Sequence, residues 1–255
     1  MTDVVMPGGT TFTASGGPLG VLLLHGFTGT TTSVLGLAHL CAAAGYSVTA
    51  PLLPGHGTSV EDLMTTGWDD WSGTAESAYQ DLAARCDRVA VVGLSMGGSL
   101  AVHLAVRHDD IAALVLINPI VMPLGAEMEE MGQALLDAGV EVYDSIGSDI
   151  KKEGVVETSY DQTPVAPGLS LLRALKVLNT QLELLSAPTL LLSSTEDHVV
   201  PVENGEELVA RLRAPLSRIM LENSYHVATL DNDRDVVEAA SMAHLAEHLG
   251  RSPRS

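Results

Sequence analysis

Cysteine is scarce in this chain, with only Cys41 and Cys86 among 255 residues. One lies in an Ala-rich helical stretch and the other just before a strand candidate. That context does not describe a disulfide scaffold, so both are expected as free thiols. Aromatics are equally sparse: two Phe and two Trp leave the core to Leu, Val, Ile, Ala and Met. No apolar run is long enough to span a bilayer, because the longest, Ile111 to Leu124, is interrupted by Asn118, Pro119 and Pro123. The first nine residues lack a basic region followed by an apolar one, so no signal peptide is expected and the chain reads as cytoplasmic. Basic side chains number 13 against 32 acidic ones, a net charge of −19. Such a field repels phosphate backbones and anionic lipid surfaces, which argues against nucleic-acid partners, while a small neutral substrate feels little of it. Acids and histidines lack metal-ligand spacing, there is no Cys-x-x-Cys, and no Gly-x-Gly-x-x-Gly follows a strand. No cofactor is implied.

Hydrophobic residues make up 46% and charged residues 18%, and the length suits one α/β domain with a large core. Short apolar runs alternate with helical patterns, as in a mostly parallel sheet with helices on both faces. Strands are expected at Gly20–Leu24, Tyr46–Ala50, Arg88–Val92, Ala113–Ile117, Thr189–Ser193 and Ser217–Leu221. Helices are expected near Ser33–Ala44, Trp68–Arg85, Met96–Arg107, Leu169–Leu185, Glu203–Arg213 and Arg234–Leu249. The rhythm breaks between Pro119 and Gly168, where no clear strand is visible. Short helices fit at Ala126–Ala138 and around Val140–Ile146, followed by the turn-rich Gln162–Gly168. An insertion leaving the carboxyl end of a strand lies over the crevice of a doubly wound sheet. The expected division is therefore a core of residues 1–118 and 169–255, with a cap over 119–168.

The chemistry centres on Gly93-Leu94-Ser95-Met96-Gly97, placed directly after a strand candidate and opening a helix. That is the context of a nucleophile elbow in the α/β-hydrolase fold, where a tight turn exposes the serine Oγ above the sheet. A serine hydroxyl needs a base, and in this fold the acid and then the histidine follow it in the chain. His226 is the one histidine in a late loop just after a strand candidate. The run Thr189–Ser193 leads into Ser194-Thr195-Glu196-Asp197, which makes Asp197 the expected acid and Glu196 the alternative. Oxyanion donors are expected at the backbone N–H groups of Met96 and of Phe27, in the loop His25-Gly26-Phe27. His25 then reads as a residue that organises that loop. Pro54-Gly55-His56-Gly57 fits either a ligand contact or a structural turn, and Gly67-Trp68-Asp69-Asp70-Trp71 fits a helix start.

With these residues placed, the sequence resembles the small bacterial carboxylesterases and monoacylglycerol lipases. The likeness runs through Leu22–Gly29, Pro51–Gly57, Gly93–Gly98, Asp161–Pro164 and Ser224–Asp231. It implies a small cap, a triad of Ser95, Asp197 and His226, and cleavage of short- to medium-chain acyl esters, monoacylglycerols included. The substrate expected is a small neutral acyl ester. Within the insertion, Met122, Met128 and Met131, interspersed with Glu127, Glu129 and Glu130, could line an acyl pocket or simply pack the cap against the body. Thioester or amide hydrolysis, acyl transfer and carbon–carbon cleavage share the same triad. A ligand-binding protein without turnover, or an interaction module using the acidic surface, are the readings from other classes.

Overall fold

A computed structural model describes residues 5–123, 125–145 and 147–250. Seven strands form one sheet: β1 (Phe12–Ala14), β2 (Leu19–Leu24), β3 (Ser47–Ala50), β4 (Arg88–Leu94), β5 (Ala113–Ile117), β8 (Thr189–Ser194) and β9 (Leu216–Leu221). Their order is β1-β3-β2-β4-β5-β8-β9, and all pairs are parallel except β1 with β3. The helices are α1 (Thr32–Ala43), α2 (Val60–Met64), α3 (Trp68–Ala83), α4 (Met96–Ala105), α5 (Ala126–Asp137), α6 (Val165–Asn179), α7 (Glu203–Arg211) and α8 (Arg234–His248).

Strands β2 and β5 are apolar throughout, and β4 is so after Arg88, because both faces of the sheet are covered there. Leu22, Leu24, Val91, Leu114 and Leu116 pack on one face with α3, α4 and α6. Their alternates Val21, Leu23, Ala90, Val92, Val115 and Ile117 pack on the other with α1 and α8. Truncating a fully buried leucine such as Leu22 to alanine costs about 2–5 kcal/mol. Helix α3 begins at Trp68 as its sequence suggests: the Asp70 carboxylate accepts the Gly67 N–H at 3.0 Å, and Trp71 is fully buried.

Strand order fixes where a site can form. The chain leaves β2 toward β3 on one side and leaves β4 toward β5 on the other. Loops that part in opposite directions open a crevice at the carboxyl ends of these two adjacent strands. Both sequence motifs of interest, after Leu24 and after Leu94, lie there.

The segment between β5 and β8 differs from its sequence-based reading. The expected helix Val140–Ile146, whose last residue is outside those described, is instead strand β6 (Val142–Asp144). It pairs antiparallel with β7 (Gln162–Pro164), inside the stretch expected to be turns, and α6 begins immediately at Val165. A three-residue strand has no periodicity of its own, and its partner lies far along the chain, so the local pattern could not reveal it. The helix expected over Leu169–Leu185 stops at Asn179, and a 3-10 turn at Leu182–Leu184 follows. Edge strand β1 and the short α2 are likewise too brief to have registered. Among the described residues no helix is long and apolar enough to cross a membrane.

Candidate active site

Ser95 sits between β4 and α4 with φ 56° and ψ −120°, a conformation that side-chain-bearing residues rarely hold. The turn that imposes it depends on glycines. A Cβ at Gly93 would collide with the Gly97 carbonyl, and one at Gly97 with the Leu24 carbonyl. The Ser95 N–H donates to Ile117 O at 3.0 Å, which ties the turn to the end of β5. Helix α4 starts at Met96, so the positive end of its dipole lies under the serine.

Across the crevice, the loop after β2 approaches the same point. A Cβ at Gly26 would lie 3.4 Å from Ser95 Cβ and 3.8 Å from its Oγ. Neither the Phe27 nor the Met96 N–H has a backbone or side-chain acceptor among the described residues. Free donors on both sides of Ser95 are what an oxyanion requires. His25 holds this loop from behind. Its Nε2 accepts the Leu53 N–H at 3.1 Å, which leaves the proton on Nδ1, donated to Gly26 O at 2.9 Å. Burial drops the His25 pKa to about 4, so the ring stays neutral. His56 stacks edge-on against His25, Phe27 and Trp71, and burial takes its pKa to about 3.

His226, in the loop after β9, is buried, and its Nδ1 lies 2.8 Å from Asp197 Oδ2. The other carboxylate oxygen accepts the Val199 and Val200 N–H groups at 2.9 and 2.7 Å, so Asp197 is fixed in one rotamer. With Nδ1–H given to Asp197, the Nε2 lone pair is free to act as a base. Glu196, the alternative acid, is turned outward and accepts from Lys151 Nζ at 3.0 Å. Asn118, at the end of β5 with φ 42°, joins the pieces: its Nδ2 donates to His226 O at 2.7 Å and its Oδ1 accepts Ser194 N–H at 2.7 Å. Among the described residues Ser95 Oγ makes no hydrogen bond; such contacts are commonly long without substrate and shorten in the complex.

Two features of the site escaped the sequence. The Glu157 carboxyl, from the segment between β6 and β7, reaches the loop after β2, with Oε1 2.7 Å from where a Gly29 Cβ would stand. Burial raises its pKa to about 7, and the nearby His226 charge pulls the other way. Nothing local distinguishes Glu157 from the other acids of an acidic chain. Asn118 was likewise visible only as an interruption in an apolar run. Of the three methionines, Met122 is half-buried four residues beyond Asn118. Met128 and Met131 on α5 are 43% and 53% exposed, so neither packs the insertion tightly against the body. Among the described residues no cluster of His, Cys, Asp or Glu could hold a metal ion.

Comparison with known proteins gives this geometry a context. Residues 21–240 match the alpha/beta hydrolase family. The chain is 41% identical to a thermostable monoacylglycerol lipase of Bacillus sp. (strain H-257), over 96% of this chain and 98% of that protein. It is 28% identical to a carboxylesterase of Bacillus subtilis (strain 168), over 89% and 92% respectively. A solved structure described under two metagenome-derived lipolytic enzymes, LipS and LipT, superposes with a TM-score of 0.91 at 37% identity, covering 96% of this chain and all of the other.

Proposed function

This chain belongs to the alpha/beta hydrolase family, and from that premise we propose that it is a serine carboxylester hydrolase whose triad is Ser95, Asp197 and His226. The observation that carries the reading is the His226–Asp197 contact at 2.8 Å, set beside a strained serine flanked by two free N–H groups. His226 Nε2 takes the Ser95 proton as Oγ attacks the ester carbonyl, and Asp197 steadies the imidazolium. Phe27 and Met96 N–H groups receive the oxyanion. As the intermediate collapses, His226 returns the proton to the departing alcohol, leaving an acyl group on Ser95. Water, deprotonated by the same histidine, then releases the carboxylic acid and restores the serine.

The lipase and carboxylesterase relatives support a small neutral ester, with monoacylglycerols as the favoured class. Glu157 supports the same choice. A carboxyl near its midpoint of titration at neutral pH can donate to, or accept from, a free hydroxyl on the departing alcohol. We read residues 119–168 as the cap that closes this alcohol side. Met122, close to the end of β5, is the methionine best placed to meet an acyl chain.

The test is hydrolysis of p-nitrophenyl esters from acetate to palmitate, alongside monoacylglycerols, by wild type and Ser95→Ala. Turnover peaking at short to medium chains and lost in the mutant is expected. Full activity in Ser95→Ala would refute the assignment.

A further inference from the structure

The backbone of His226 is gripped from two directions, and only one grip comes from the sheet. Asn118, at the end of β5, holds its carbonyl. Its N–H is taken by Asp149, which belongs to the segment between β6 and β7, 77 positions earlier in the chain. Asp149 is buried, and its Oδ2 accepts the His226 N–H at 3.1 Å and the His198 N–H at 3.2 Å. Its Oδ1 lies 2.8 Å from His198 Nδ1, and its own carbonyl accepts Val227 N–H at 3.1 Å. His198 directly follows the acid Asp197. One carboxylate therefore bridges the loop that carries the acid and the loop that carries the base.

A second buried aspartate fastens the adjoining residues to the same loop. Asp231 accepts N–H groups from Lys151 and Lys152 at 2.7 and 2.9 Å, and from Tyr225 and Asn232 at 2.8 and 2.7 Å. Residues 149–152 are thus anchored at both ends to the His226 loop. A buried carboxylate meeting four N–H donors is rigid, because losing any one strands a desolvated charge.

We infer that Asp149 is a positioning residue, through which the insertion sets the distance and angle of His226 to Asp197 and to Ser95. The inference rests on the triad reading above. It gives the insertion a part in building the base as well as in enclosing substrate. Removing the bridge leaves the His226 ring bonded to Asp197 while its backbone loses one of its two anchors. A misplacement of about 1 Å costs a factor on the order of 100 in rate.

Asp149→Ala and Asp149→Asn, each compared with wild type by fluorophosphonate labelling and steady-state ester hydrolysis, provide the test. Rates are taken per titratable site, so that unfolded protein does not count. Asparagine keeps one acceptor oxygen for the two backbone N–H groups but loses the charge-assisted bond to His198. The expected result is graded: a per-site labelling rate and kcat about 100-fold lower in the alanine variant and about tenfold lower in the asparagine variant, with KM within about threefold. Should the alanine variant fail to fold, the asparagine variant decides alone. A smaller titratable fraction with a wild-type per-site rate would mean a merely structural role and overturn the inference, as would a rise in KM alone. Wild-type Ser95 that resists labelling would instead overturn the triad reading, and the inference with it.

Discussion

Acid should loosen this protein behind the loop that follows β2, through His25 and His56. A histidine whose folded pKa is depressed stabilises the fold fully above its unfolded value, near 6.5, and that stability drains away as pH falls toward the folded value. Protonating His25 would aim an Nε2–H at the Leu53 N–H, and protonating His56 would place a charge on a buried Nε2 that has no hydrogen-bond partner among the described residues. Between pH 7.5 and 4.5, folded values of about 4 and about 3 each translate into a loss of about 2.5 kcal/mol, or about 5 kcal/mol together. Glu157 acts with the opposite sign. Its pKa is raised to about 7, so the folded state takes up a proton first and gains about 2–3 kcal/mol over the same window. Glu129, held low by Lys176 and Arg173, and Glu207, held low by Arg211 and Asn179, give up stability mainly below this window. The wild-type slope is therefore a difference of opposed contributions, and a variant must isolate one. His56→Asn keeps a donor for Pro54 O, where His56 Nδ1 now sits at 3.0 Å, and cannot titrate. It should be less stable than wild type at pH 7.5, because it leaves a void, yet lose about 2.5 kcal/mol less on going to pH 4.5. Guanidinium unfolding at the two pH values measures both quantities. Equal losses in variant and wild type would refute the argument.

Other consequences are more direct. Gly97→Ala would drive a Cβ into the Leu24 carbonyl, so a loss of more than about 3 kcal/mol or outright misfolding is expected; a wild-type melting temperature would contradict this. Glu157→Ala should raise KM for a monoacylglycerol by about 10- to 100-fold while leaving ethyl esters nearly unchanged, as measured by initial rates on the two substrates. Burial pushes the Cys41 thiol up to about 12, whereas Cys86 is half-buried, so a thiol reagent should titrate one group in the native protein and two after denaturation.

The parts of this molecule that were legible in the sequence are those whose causes are local. Gly93 and Gly97 are required by atoms within a few residues or on the adjacent strand, so the elbow around Ser95 could be read directly. The uninterrupted apolar runs of β4 and β5 follow from burial on both faces, and Ala113–Ile117 has the expected bounds. Glu196 and Asp197 are neighbours in a turn and point in different directions, and only the fold shows that Asp197 faces His226. Asp149, Asn118 and Glu157 act through partners tens of residues away, and as letters they are an ordinary aspartate, asparagine and glutamate. The β6–β7 pair was hidden for the same reason. His25 is an intermediate case: its place before Gly26 suggested a structural duty, but its two partners became visible only in three dimensions.

The pairing of β2 with β4 has an implication for how activity arises during folding. Leu24 stands opposite Gly93 in that register, so the last residues of the two strands launch the oxyanion loop and the serine turn from the same level. Sliding one strand past the other by a single residue would displace the Phe27 N–H relative to Ser95 by a further ~3.3 Å, more than the length range of a hydrogen bond allows. The two strands work as a vernier whose zero mark is the catalytic spacing. On the proposed assignment, hydrolytic competence is a property of the completed sheet, and a collapsed chain with its secondary structure formed but its strands misaligned would contain Ser95, Asp197 and His226 and remain inert.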